Sequence, residues 1–221
     1  MPDVSFDHLV IGAASLAQGV AWAEEKLGVD LPPGRTHPRM GTHNRLAALG
    51  PTSFLEVIAI DPAATPPARP RWFALDDPAV RDRLERGPRL IAWVAGTADV
   101  AASLAQASDA GADLGRAVEM TRGDLLWRIS IRDDGALPEG GTLPLLIQWP
   151  AGPHPAGRMT GLGLRLETLE LRHPEPARLE AVLGAIGAGH LATTVRADRP
   201  SLRAVLRSAD GARLALGGAR D

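Results

Sequence analysis

Apolar and polar positions recur along this chain in an order that comes round three times. Residues 4–11, Val-Ser-Phe-Asp-His-Leu-Val-Ile, have the two-residue period of a strand. That period sets Phe6, His8 and Val10 on one face and Asp7, Leu9 and Ile11 on the other. Ser15 and Gln18 form a capping-box pattern ahead of Leu16, Val20 and Leu27, which share one helix face, and Gly28 stops that helix. Pro32-Pro33-Gly34 is a loop, Thr42 to Leu49 is a strand, and Gly50-Pro51 a turn. Phe54 to Ile60 is a strand interrupted only by Glu56. The proline-rich stretch from Asp61 to Pro70 excludes regular structure. It reads as a linker, followed by a short helix near Pro78 to Glu85.

The same grammar then returns. Arg89 to Ala95 is a strand, Gly96 a turn and Asp99 an N-cap, with Val100, Leu104 and Ala107 along a helix that ends near Gly111. Strands follow around Ala117 to Met120, Leu125 to Ile131 and Leu143 to Trp149. After Thr160-Gly161 comes a shorter copy. Its strand is Arg165 to Leu171, its helix opens at Pro174, and strands lie near Ala192 to Arg196, Leu202 to Arg207 and Arg213 to Leu216. A half-sheet of this kind leaves an apolar face uncovered, so repetition implies paired or stacked units. The expected fold is α+β. Residues 1–160 hold two paired units (1–62 and 88–160, joined by a linker and short helix over 63–87), and residues 161–221 hold a third, degenerate one.

Composition narrows the chemistry. A formal charge of −2 argues against a protein devoted to nucleic acid or to an acidic membrane surface. With no cysteine, disulfides and thiolate chemistry are excluded, and any metal must be held by His, carboxylate or amide groups. No uncharged apolar run could span a bilayer, and the opening Met1-Pro2-Asp3-Val4 has no leader character, so a cytoplasmic location is expected.

Glu56 is the most informative position, because a bare carboxylate between apolar strand faces costs several kcal/mol and needs a partner. His8 is its counterpart in the first strand. In a curled four-stranded unit the first and last strands meet on the concave face, where an imidazole and a carboxylate make half of a metal site, an acid–base pair, or simply a satisfied polar island. His43 and His154 are further candidates, as third ligands or general bases, with surface or structural roles as the alternative. Trp93, Trp127, Trp149 and Arg128 are candidates for the wall of the cup, where aromatics beside a guanidinium suit a small planar or anionic substrate. Core packing is the alternative for the tryptophans. The glycine-rich pieces lack the context of a phosphate-binding loop.

The stretches Asp7-His8-Leu9-Val10-Ile11-Gly12, Gly41-Thr42-His43-Asn44-Arg45-Leu46 and Phe54-Leu55-Glu56-Val57-Ile58-Ala59-Ile60-Asp61-Pro62 resemble the glyoxalase-like branch of the vicinal oxygen chelate superfamily. Leu143 to Trp149, followed by Pro153-His154-Pro155, resembles its second unit. The resemblance covers about residues 4 to 157. It implies two βαβββ modules forming a cupped eight-stranded sheet, with metal ligands on the first and last strand of each. His8 and Glu56 match both ligand positions of the first module, whereas Ala92 and Gln148 fall at those of the second. In the third unit Thr168 and Ala215 stand at the comparable places, so no site is expected there.

By that resemblance the chain is a glyoxalase-like small-molecule enzyme, an isomerase or lyase, with a divalent metal (Mn, Ni, Zn or Fe) on His8 and Glu56. Glu56 or His43 would move a proton, and Trp127, Arg128, Gln148, Trp149 and His154 would contact the substrate. The alternatives are a non-catalytic protein that sequesters a small hydrophobic or cationic compound, and an extradiol-type dioxygenase with His43 as second imidazole. The third unit is expected either to cover the outer sheet or to pair with a partner chain, and an odd number of units makes a homodimer the expected partner arrangement.

Overall fold

The structure is a computed structural model, and it describes residues 4–123 and 125–218. Among the described residues twelve strands and four α-helices follow in order: β1 (Val4–Gly12), α1 (Leu16–Leu27), β2 (Arg35–His37), β3 (Thr42–Gly50), β4 (Ser53–Ile60), α2 (Pro78–Glu85), β5 (Arg89–Thr97), α3 (Val100–Asp109), β6 (Arg116–Arg122), β7 (Leu125–Ile131) and β8 (Leu145–Gln148), then β9 (Arg165–His173), α4 (Pro176–Ala185), β10 (Thr193–Arg196), β11 (Ser201–Arg207) and β12 (Arg213–Gly217). The helix starts follow the caps. The Ser15 side chain accepts from Gln18 N, the Asp77 carboxylate from Ala79 N and Val80 N, and the Asp99 carboxylate from Ala101 N and Ala102 N. Gly28 ends α1 in the left-handed region, φ 65°.

Eight strands form one sheet in the order β2-β3-β4-β1-β5-β8-β7-β6. The pairing β1–β4 is parallel, as is β5–β8, while β1 and β5 meet antiparallel at the centre. Each half is therefore a βαβββ module, and the two are joined edge to edge through their first strands. Apolar residues divide between the two faces. Leu9, Ile11, Leu55, Val57, Trp93 and Ala95 pack with α1 and α3, whereas Val10, Ile58, Ala92, Val94, Ile129 and Ile147 face the concave side.

A bulge at the centre of β1 departs from the expected alternation. Phe6 pairs with Ala95 and His8 with Val94, leaving Asp7 without an opposite residue. An extra residue in a strand shifts the parity of everything on one side of it. Phe6 thus joins the helix-covered face with Val4, Leu9 and Ile11, and Asp7 and His8 both point into the cup.

The proline-rich connection does more than link the halves. Trp72–Ala74 form a 3-10 turn that packs inside the cup with Leu75, Val80 and Leu84. Ala74 N donates to Gly135 O at 2.8 Å, and Arg71 is paired with Asp76. Gly135 has φ 72°, and a Cβ there would lie 2.2 Å from Arg71 O, so only glycine lets this strap cross the loop after β7.

The third unit has the expected order of elements but a different sheet order, β10-β9-β11-β12, with β9 parallel to β10 and antiparallel to β11. Its helix opens at Pro176 rather than Pro174, because His173 extends β9 and its Nδ1 accepts from Glu175 N. Leu169, Leu171, Leu179, Leu202 and Leu206 join the same apolar core as Trp93 and Leu146. This unit covers the convex side of the large sheet, one of the two roles expected of it. Among the described residues no helix is long and apolar enough to cross a membrane.

Candidate active site

What remains open of the cup is a narrow pocket, with about 430 Å³ not filled by atoms once the open solvent at its mouth is included. Its polar end is built by β1, β2, β3 and β4, which bring His8, His37, Asn44 and Glu56 together. Phe54, Trp72, Trp127, Ile129, Ile147 and Trp149 form most of the apolar remainder.

Asp7 organises the polar end from behind. Its carboxylate is 2% exposed, and it accepts from His8 Nδ1 at 2.6 Å, Trp149 Nε1 at 2.7 Å and His154 Nε2 at 3.0 Å. Burial opposes ionisation here, but the donors from His154, His8 and Trp149 outweigh it, and the Asp7 pKa falls below its ordinary 3.8. An ionised carboxylate only accepts, so the proton of a neutral His8 ring resides on Nδ1 and the lone pair on Nε2. That Nε2 lies 3.6 Å from Glu56 Oε2, longer than a hydrogen bond. The His8 ring is further held by stacking on Phe54, with centroids 4.3 Å apart and planes at 15°.

Glu56 is held from its other oxygen. Asn44 Nδ2 donates to Glu56 Oε1 at 2.6 Å and approaches His37 Nε2 at 3.4 Å, while His37 Nδ1 lies 3.2 Å from Thr42 Oγ1. Asn44 Oδ1 in turn accepts from Arg35 N, fixing the amide orientation. Two anchored arms, Asp7–His8 and Thr42–His37–Asn44–Glu56, thus meet across a short gap. Their reactive atoms are desolvated and pre-positioned.

The structure brings together His8, Glu56, Trp127 and Trp149 around the pocket, and sets His154 behind Asp7, outside the lining. His154 Nδ1 accepts from Ala156 N, so both ring nitrogens are engaged. Four expected residues lie elsewhere. His43 pairs with Ala59 on the face that α1 covers, because β3 alternates and Asn44 and Leu46 are the members that enter the cup. Gln148 points to the convex side, where its Oε1 accepts from Val100 N at the start of α3. Arg128, its partner in β7, alternates out with it and is exposed. Trp93 is likewise on the convex side, donating to Thr142 O at 3.0 Å.

Sequence reasoning missed Asp7, His37, Asn44 and Trp72. Asp7 was hidden by the bulge, and His37 sits on a three-residue strand between prolines. Asn44 does carry a legible signal: it is a polar residue two places before an apolar strand position, opposite the Glu56 strand.

The donor set does not fit a metal held by four protein ligands. The concave positions of the second module are Ala92 and Val94 on β5 and Leu145 and Ile147 on β8, none of which can ligate. Among the described residues no group of three or more His, Asp or Glu side chains is arranged to hold a metal ion.

Two solved structures share the architecture. A hypothetical protein from Staphylococcus aureus is similar over 92% of this chain and 81% of its own, at 14% identity and a TM-score of 0.58. A mutant 4-hydroxymandelate synthase from Streptomyces coelicolor is similar over 98% of this chain and 63% of its own, at 16% identity and a TM-score of 0.53. A methylmalonyl-CoA epimerase from Streptomyces coelicolor, at 21% identity, covers 68% of this chain and 98% of its own with a TM-score of 0.43. No curated protein matches the chain. Paired βαβββ modules around a cup define a vicinal oxygen chelate protein. Within that superfamily, the chain belongs to the glyoxalase-like domain family, whose profile matches residues 6–187.

Proposed function

We propose that this chain is a glyoxalase-like enzyme that relocates a proton on a small, largely apolar molecule, as an isomerase or lyase does. The observation that carries this reading is His8, with Nδ1 pinned by ionised Asp7 and Nε2 facing the Glu56 carboxylate across 3.6 Å. His8 Nε2 takes a proton from a carbon next to a substrate carbonyl. The imidazolium so formed is stabilised by carboxylates on both sides. It then returns the proton to a neighbouring atom, leaving no net charge change on the protein. A positioned acid–base group of this kind contributes roughly 10²–10⁴-fold in rate. Glu56, oriented by Asn44, holds the imidazolium and completes the hydrogen-bonded wall.

The metal-dependent version is not carried, since the second half of the cup lacks donors, and no step above needs one. The extradiol-type alternative loses His43, which is on the other face, and the second imidazole of the pocket, His37, has Nδ1 against Thr42 Oγ1 and Nε2 against Asn44 Nδ2. A non-catalytic binding role keeps support from the apolar far wall of Trp127, Ile129 and Ile147. Aryl ketones and α-hydroxyketones incubated with the protein in D₂O distinguish the two. The enzyme reading expects deuterium at the carbon beside the carbonyl, lost in His8→Asn and reduced in Glu56→Gln. Thermal stabilisation by the same compounds with no exchange in wild type supports the binding protein instead.

A further inference from the structure

The pocket that holds His8 and Glu56 has a wider neighbour. Leu46 and Met159, both half-buried, line the two cavities, so these adjoin at those side chains. The wider one lies on the solvent side, bounded by exposed residues before β2, at the tip of the β6–β7 hairpin and around Arg158. Elsewhere the rims of the cup are tied together, for Arg39 Nη1 donates to Glu119 O at 3.0 Å. The two cavities differ in charge. Among the described residues no Lys or Arg lines the inner one, whose carboxylate is Glu56, whereas Arg35 and Arg158 line the outer one and no Asp or Glu does. A lone exposed arginine has no such meaning, but these two share one cavity and are carried by segments fixed to the polar arms of the site. Arg35 N donates to Asn44 Oδ1, on the amide that orients Glu56. At Gly34 the chain runs so close to β3 that a Cβ would lie 1.4 Å from Asn44 O. Arg158 closes the 3-10 turn Pro155–Arg158, capped by His154, which is itself bonded to Asp7, and Ala48 N donates to Thr160 O just beyond it.

We propose that Arg35 and Arg158 form an oxyanion subsite at the mouth of the pocket, and that the ligand is amphipathic. Its uncharged, largely apolar body fills the inner pocket, and a carboxylate or phosphate on a tail reaches the two guanidiniums. A guanidinium offers paired N–H donors that match either oxyanion. Glu56 repels an anion from the inner pocket, so the charged end stays outside and the apolar end enters. The division of charge therefore sets the direction in which the ligand lies, with its reactive carbon toward His8. This assignment deepens the proposed function and rests on it for the identity of the reacting end, but its test is one of binding.

The probes are ω-benzoyl alkanoic acids with tails of graded length, each beside its methyl ester, titrated by calorimetry into the full chain. At the tail length that spans the two cavities, the acid is expected to bind about tenfold more tightly than its ester at low salt, as two exposed charge-assisted contacts allow. That preference should shrink as salt is raised, because exposed ion pairs are screened. It should fall in Arg35→Gln and in Arg158→Gln, vanish in the double variant, and invert in Arg158→Glu. A phosphonate in place of the carboxylate separates the two sources: tighter binding identifies a phosphorylated ligand, weaker binding a carboxylic acid, and either keeps the subsite. Acids no tighter than esters at every tail length, a preference indifferent to salt, a preference retained in the double variant, or no binding of acid or ester at all each overturns the proposal. The wild-type acid–ester ratio and its salt dependence decide even where a variant does not fold. Deuterium exchange beside the carbonyl with no acid–ester difference sinks the subsite alone, whereas the difference without exchange sinks the catalytic reading alone.

Discussion

Replacing Asp7 by asparagine removes one charge and reverses one atom, at a site where three donors converge on a carboxylate 2% exposed. The remaining carbonyl oxygen can keep two of the donors from His8, Trp149 and His154. The new amide nitrogen must then face the third, N–H against N–H. Losing charge assistance and stranding a buried donor together cost about 2–4 kcal/mol. For a chain of this size that is a fall in Tm of roughly 4–16 °C. Urea denaturation at pH 7 measures it, as a lower midpoint with an unchanged slope. The pH dependence supplies a second reading. The folded pKa of Asp7 lies below its ordinary 3.8, so its ionised form stabilises the fold fully above that value. The contribution is lost as pH falls through the lower, folded value. The gap between wild type and Asp7→Asn should therefore be greatest at neutral pH and shrink below 3.8. A variant within about 0.5 kcal/mol of wild type at pH 7, or a gap that widens on acidification, would falsify the account of Asp7 as the ionised anchor of His8.

Other perturbations separate the two arms of the site. Asn44→Ala frees Glu56 Oε1 and is expected to cost about 1–2 kcal/mol in denaturant unfolding, whereas Asn44→Asp sets a second carboxylate against it and should be worse at pH 7 than at pH 4. Gly135→Ala forces a Cβ to within 2.2 Å of Arg71 O. It should destabilise by about 1–3 kcal/mol and weaken acetophenone binding by displacing the strap, which calorimetry would detect. His43→Ala should leave acetophenone affinity within twofold of wild type while His8→Ala changes it, because the two histidines lie on opposite faces; equal effects would contradict the register of β3.

How much was legible follows from what decides each feature. Repeated strand–helix–strand order, the caps at Ser15 and Asp99, and the stop at Gly28 are local, and they appear where the pattern puts them. Glu56 stood out because a carboxylate in an apolar strand must find a partner, whatever the fold. His43 against Asn44 shows the limit: both are polar neighbours on one strand, and only the register of β3 against β4 decides which enters the cup. Gln148 and Arg128 show the same limit in the second module.

The sequence by itself determined the modules, their order and the His8–Glu56 pair, because hydrophobic periodicity, caps and an unpaired buried charge act within a few residues. Tertiary structure alone decided that Asp7 turns inward, through a bulge set by pairing with a strand some ninety residues away. It also decided that the proline-rich connection folds into the cup and presents Trp72, and that the third unit closes the convex face. Those outcomes depend on which surfaces meet, and no local pattern of residues specifies that.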